Sequence, residues 1–331
     1  MDVQASVRSS AAKPVVSVIV VSFNTKAMTL DCLRSLFEET PDLPFEALVV
    51  DNASTDGSAD AIGATFPQAT LIRSERNLGF AGANNLAALQ ASGEYVLLLN
   101  PDTIVIDRAV ERIVEFARAR PECGIWGGRT LFKDRSLNPT SCWRRFDLWT
   151  LVCGIAGTTI LAPRSELFNP EPYGTWQRDS ERDVDIISGC WLLARTTLWQ
   201  ELGGFSPRYF MYGEDADLCL RAQARGARPA ISPKATIVHF GGGADPSRPA
   251  KFVAIFRAKI SLMDDHWPRW QRRLGRLLYP LYPLTRAIGY GAAAMLTGRE
   301  SARTKAALWR EVWQRRGEWI GGFPPTPPGA A

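Results

Sequence analysis

The chain has 331 residues, 46% of them apolar, and a formal net charge of +5. That leaves room for a sizeable core in one large α/β domain, alone or with an appendage. Six cysteines without a C-x-x-C pair, most inside apolar or helical stretches, argue against a disulfide framework and for reduced, packed thiols in a cytoplasmic protein.

The charge is unevenly spread. From Lys251 onward there are 14 Lys and Arg against 5 Asp and Glu, or +9, which leaves −4 for the rest. A basic end of this kind points to an anionic surface, membrane or nucleic acid, or to a solvated helix face. Residues 1–14 are polar and lack an apolar core, so no signal peptide is expected and the segment reads as disordered.

In chain order, residues 15–22 form a β-branched run and predict a strand. A helix capped by Thr25 follows to about Glu39, with Leu30, Leu33, Leu36 and Phe37 on one face. Residues 45–50 predict a second strand, and Thr55 or Asp56 opens the next helix. A short strand at 70–73 and an Ala/Leu-rich helix at 79–91 lead to Tyr95-Val-Leu-Leu-Leu99. Five apolar residues without a break read as a strand buried on both faces. Pro101 cannot donate to a ladder, so the strand stops near Asn100 and leaves Asp102 at the carboxyl edge of a parallel sheet. A carboxylate there can hold a hard divalent cation against a diphosphate, or Asn-Pro-Asp is simply a turn.

Beyond an amphipathic helix at 107–118, residues 129–182 have poor periodicity and many Pro, Trp and Arg. They read as a long excursion over the ligand face. Strands around Gly189 within 184–195, a helix from Thr196 to Gly203-Gly204, a helix from Glu214 to Gly226 and a strand at 235–239 complete the pattern. Strand–helix alternation of this spacing indicates βαβ units. No G-x-G-x-x-G or P-loop follows the first strand, which weighs against a dinucleotide-dependent dehydrogenase or a P-loop protein.

A helix at 251–265 carries Phe252, Ile255, Phe256, Ile260 and Met263 on its apolar side. Residues 277–296 are apolar but are broken by Pro280, Pro283 and Arg286, so a surface-lying amphipathic segment is expected rather than a span. Trp267, Trp270, Tyr279 and Tyr282 would then lie at headgroup depth, the alternative being that these helices pack on the preceding domain or form a dimer interface, and residues 323–331 read as disordered.

Taken together, Val21-Ser22-Phe23-Asn24, Val50-Asp51-Asn52-Ala53-Ser54-Thr55-Asp56-Gly57, Arg76-Asn77-Leu78-Gly79-Phe80-Ala81, Asn100-Pro101-Asp102, Ile187-Ser188-Gly189-Cys190-Trp191, Gly203-Gly204-Phe205 and Glu214-Asp215-Ala216-Asp217-Leu218 resemble the inverting family 2 glycosyltransferases. The likeness covers residues 15–243 in order. It is strongest to the rhamnosyltransferase-like and galactofuranosyltransferase-like branch.

The resemblance implies a GT-A fold at 15–245, a Rossmann-like nucleotide-binding half fused to an acceptor half. A basic, aromatic helical region at 246–320 and a tail at 321–331 would follow. It implies Asp51 on the donor's nucleobase or ribose, a sensible use of a carboxylate acceptor, with Asn24 and Arg76 near the nucleotide. Asp102 matches the last Asp of the family's metal-binding D-x-D, and Asn100 replaces the first. His239 matches the His that completes the metal site in some members, implying Mg²⁺ or Mn²⁺. Asp215 matches the catalytic base, with Glu214 positioning the acceptor or tuning the base. Trp191, Trp143 and Gly189 are the candidate acceptor contacts.

The implied reaction moves a hexose, rhamnose from dTDP-rhamnose first and galactofuranose or another UDP-hexose next. The acceptor would be a polyprenyl-diphosphate-linked or growing cell-surface glycan at the cytoplasmic face of the membrane, with the protein peripheral there and a homodimer as its one expected protein partner. A processive synthase is disfavoured, because only Arg269-Trp270 echoes Q-x-x-R-W. Nucleic-acid binding lacks a fold motif and faces an acidic N-terminal two-thirds, and a catalytically dead sugar-binding protein is the third reading.

Overall fold

The computed structural model describes residues 13–241 and 248–325. The expected disorder at 1–14 and 321–331 lies mostly outside the described residues, and it is corrected at Phe323, whose amide donates to Ser261 Oγ at 2.7 Å and whose ring packs against Tyr209.

The first strand, β1 (Val16–Ser22), is buried along its whole length because Val, Ile and Ser alternate between two covered faces. It pairs in parallel with β2 (Phe45–Asp51) on one side and β4 (Tyr95–Leu99) on the other, and β3 (Thr70–Arg73) extends the edge beyond β2. Between them run α1 (Lys26–Glu38), α2 (Ser58–Thr65) and α3 (Gly79–Ala88). After β4 the chain forms β5 (Thr103–Val105), α4 (Ala109–Ala119) and β6 (Ile125–Leu131), then β7 (Leu137–Asn138) and β8 (Cys142–Trp143). Two short helices, α5 (Leu148–Ala156) and α6 (Thr158–Leu161), precede β9 (Arg182–Asp183), β10 (Ile186–Ile187) and β11 (Trp191–Arg195). The sheet-bearing part of the chain closes with α7 (Thr196–Leu202), α8 (Glu214–Gln223) and β12 (Ala230–His239).

The main sheet runs β3-β2-β1-β4-β11-β6-β12-β5. Its first half is parallel, and β11 enters antiparallel to both β4 and β6. One face carries Leu33, Leu36, Ile113 and Trp126, and the other Ala83, Ala87, Trp199 and Leu218. This two-sided cover explains the unbroken apolar strands.

The sequence missed β6, a central strand, because Gly127-Gly128 interrupts its apolar run. Those glycines are a packing requirement. A Cβ at Gly128 would run into the Ala235 carbonyl oxygen and the Trp191 indole. The last strand also begins earlier than expected, at Ala230, with its register shift absorbed around Pro233. The second helix starts at Ser58 after a left-handed Gly57 rather than at Thr55 or Asp56. Asp56 instead accepts from the Ser58 amide at 3.0 Å.

Five helices follow: α9 (Arg248–His266), α10 (Arg269–Leu278), α11 (Leu281–Thr297), α12 (Glu300–Gln314) and α13 (Arg316–Trp319). They share a third core with the excursion, in which Leu151 of α5 packs among Phe256, Met263, Tyr279, Val312 and Trp319. The expected headgroup-depth aromatic belt is therefore corrected. Tyr279 is buried, and the Trp267 indole donates to the Phe146 carbonyl at 3.1 Å. Of that set, only Trp270 is well exposed, at 62%. Among the described residues no helix is long and apolar enough to cross a membrane. The six cysteines are buried thiols.

Candidate active site

Every candidate polar residue falls at or just beyond the end of a strand or the start of a helix. Asp51 ends β2, is 4% exposed, and accepts from the Ser54 amide through Oδ2 at 3.2 Å. Its Oδ1 is buried without a partner. A buried carboxylate oxygen left unpaired is costly, so a donor group from a ligand is its natural partner.

Asn24 sits in the left-handed region, which Asn tolerates better than most residues. Its Oδ1 accepts from the Thr55 amide at 2.8 Å, and its own amide donates to Ser54 Oγ at 3.0 Å. It thus braces the loops after β1 and β2. Arg76 is exposed on the loop after β3. Sequence reading missed what holds that loop: Asn52, whose amide donates to Asn77 Oδ1 at 3.0 Å and to the Gly79 carbonyl at 3.3 Å, while its Oδ1 accepts from the Leu78 amide at 2.8 Å. The Asp-Asn pair at the strand end was visible, but nothing local marked Asn52 as a long-range clamp.

Asp102 follows β4 and faces His239, the last residue of β12, with Oδ1 3.3 Å from Nε2. Antiparallel pairing of His239 with Thr103 brings the two together. Burial alone would raise the Asp102 pKa, but the hydrogen bond and charge of His239 win and hold it below the usual range. Burial likewise opposes a charged His239. The neighbouring Cys190 sulfur and the Asp102 carboxylate outweigh it and raise the imidazole to about 10. Cys190 was unassigned in the sequence, because the sheet rather than spacing sets it beside His239.

A carboxylate and an imidazole are donors that suit Mg²⁺ or Mn²⁺ once His239 gives up the proton it shares with Asp102. Asn100 Oδ1 and His239 Nδ1 are also buried without partners. Among the described residues no group of three or more His, Cys, Asp or Glu converges as a complete cage.

A relay of backbone contacts connects this corner to α8. The Asn100 amide donates to the Cys190 carbonyl at 3.1 Å, and the Gly189 amide donates to Asp215 Oδ2 at 3.2 Å. The Ala216 amide donates to Oδ1 at 2.8 Å. Burial raises the pKa of Asp215, and these amides counter it. Glu214, more deeply buried, is raised by burial first and by the Asp215 charge second, and its Oε2 lacks a partner. The pair therefore favours one proton on Glu214 and an ionised Asp215. Such a carboxylate can take a proton from a hydroxyl.

Two expectations change, and Asp217 proves structural. Trp191 is 1% exposed and its indole donates to the Ala235 carbonyl at 3.2 Å, so its ring is core and has no face for a sugar. Gly189 meets Asp215 through its amide, which makes it a brace for the carboxylate. Asp217 is tied to Arg221 Nε at 2.7 Å and His266 Nε2 at 2.9 Å, a structural role linking α8 to α9. Trp143 remains partly open at the end of β8.

The mixed sheet gathers its polar residues at one edge, an architecture shared with solved glycosyltransferases. The fold matches the mannosyltransferase PcManGT from Pyrobaculum calidifontis, solved with GDP-Man and Mn²⁺, at a TM-score of 0.56 and 21% identity over 93% of this chain and 88% of that one. Residues 17–200 match the profile of glycosyl transferase family 2, and the chain belongs to that family. It is similar to an N-acetylglucosaminyl-diphospho-decaprenol L-rhamnosyltransferase of Mycobacterium tuberculosis, 28% identical over 278 residues, covering 78% of this chain and 88% of the relative. It is also similar to the rhamnosyltransferase WbbL of Escherichia coli, 28% identical over 176 residues, covering 49% and 61%. The chain is a glycosyltransferase that uses a nucleotide-sugar donor.

Proposed function

We propose that the protein transfers rhamnose from dTDP-rhamnose, with inversion, to a sugar carried on a polyprenyl diphosphate. The observation that carries the mechanism is the half-buried Asp215 carboxylate, fixed by two amides and joined through Gly189 and Cys190 to the Asp102–His239 corner. Asp51 binds the nucleoside through its unpartnered Oδ1, with Asn24 and Arg76 lining the same side. Asp215 takes the acceptor hydroxyl proton as the oxygen attacks the anomeric carbon and the nucleoside diphosphate leaves from the opposite face. Glu214, holding its own proton, keeps negative charge off the acceptor side, and Trp143 offers an aromatic edge to the acceptor.

Asp102 and His239, with Asn100 alongside, would hold Mg²⁺ or Mn²⁺, which would supply positive charge against the leaving diphosphate. Rhamnose and the lipid carrier are read from the relatives' names. A transfer assay with dTDP-rhamnose, UDP-galactofuranose and UDP-glucose, using polyprenyl-diphosphate N-acetylglucosamine as acceptor, tests the donor. Turnover restricted to a UDP-sugar would defeat the rhamnose assignment.

The same reading makes the protein peripheral on the inner face of the membrane. Along α10, Trp270, Leu274 and Leu277 are exposed at spacings of four and three, and Leu281 extends the stripe. Leu277 is 73% exposed. Arg269, Arg272, Arg273 and Arg276 share that helix, a composition suited to anionic headgroups.

A further inference from the structure

A cavity of about 200 Å³ lies between the excursion and the C-terminal helices, away from the sheet edge, lined by Thr150, Gly154, Thr159, Tyr282, Arg286 and Glu171 among others. Arg286 is 8% exposed. Its Nη2 donates to Thr159 Oγ1 at 2.5 Å and the Gly154 carbonyl at 3.3 Å, and its guanidinium lies 5.0 Å from the Tyr282 ring centroid. The Nε is buried with no partner. Among the described residues no carboxylate forms an ion pair with it. Glu171, the one acid in the lining, is held instead by Lys259 at 2.5 Å. A buried guanidinium without a counter-ion is expensive, and here it borders an open volume with its fork half used.

A polar cavity with one buried, unpaired cation in its lining matches a phosphate group.

We propose that this cavity is a phosphate-binding site, distinct from the donor site, in which Arg286 receives a phosphate group, free or borne on a lipid. The inference does not rest on the proposed transfer reaction. Its test reads binding rather than transfer, so the two can fail separately.

The experiment is calorimetric titration of the full chain with farnesyl phosphate and, separately, inorganic phosphate. Saturating dTDP and Mn²⁺ are present throughout to occupy the donor site. Farnesyl phosphate is expected to bind, and Arg286→Gln to weaken it at least about tenfold, the loss of one charge-assisted hydrogen bond. Thr159→Val, which only removes an anchor of the guanidinium, should weaken it less and serves if Arg286→Gln melts early. Inorganic phosphate binding as tightly would identify free phosphate as the ligand, while binding by the lipid phosphate alone identifies the tail as part of recognition. Absence of binding by both probes, or unchanged affinity in both folded variants, would overturn the site.

Discussion

At the scale of single residues, the chemistry rests on which carboxylates are free to act. Asp215 is braced by the Gly189 and Ala216 amides, so Asp215→Asn should keep nucleoside diphosphate affinity near normal and lower kcat by about 10²–10⁴. Calorimetry beside a turnover assay reads both halves, and loss of binding along with rate would move Asp215 into the donor site or the fold. Asp102→Ala should abolish turnover, and full activity in excess EDTA would remove the metal and His239 from the account. Glu214 supplies a pH signature. Its folded pKa is raised, so the folded state holds a proton that the unfolded chain releases near its ordinary 4.5. Stability from this group is therefore greatest below that value and falls as pH rises through neutrality. Glu214→Gln should flatten that decline in chemical denaturation across pH. An unchanged slope would mean that the carboxyl is not buried as described.

At the scale of elements, the conspicuous parts of the sequence were the parallel strands. The strand at Tyr95–Leu99 is bounded as its apolar run and Pro101 predict, because both signals are local. The strand with Gly127-Gly128 was invisible for the converse reason: its glycines answer to Ala235 and Trp191, far away in sequence. Gly128→Ala should consequently destabilise the fold by about 1–3 kcal/mol or more, measurable by denaturant titration. An unchanged midpoint would show that the sheet can spread there. Polar residues with local motifs, such as Asp51 and Asp102, could be picked out from the sequence. Partners made by topology could not, which is why Asn52, Cys190 and His266 were unassigned and Trp191 was misplaced. The C-terminal aromatics were misread for the same cause, since amphipathic periodicity does not say whether protein or lipid covers the apolar face.

At the scale of the whole molecule, the C-terminal helices complete a core that begins at Leu148 and Leu151, so cutting the chain after 245 would uncover it. Surface substitutions are the cleaner probe of membrane contact. The protein should co-sediment with anionic liposomes, with each basic residue at the surface worth about 1 kcal/mol and weakened by salt. Leu274→Glu with Leu277→Glu should reduce the bound fraction without lowering Tm, and no binding at low salt would end the peripheral-membrane reading. The most direct measurement is the anomeric configuration of the product, read by ¹H NMR after reaction of the purified protein with dTDP-rhamnose, Mn²⁺ and a polyprenyl-diphosphate-linked acceptor. The account predicts a rhamnoside inverted relative to the donor, as one carboxylate acting as base requires. A product of retained configuration would contradict it.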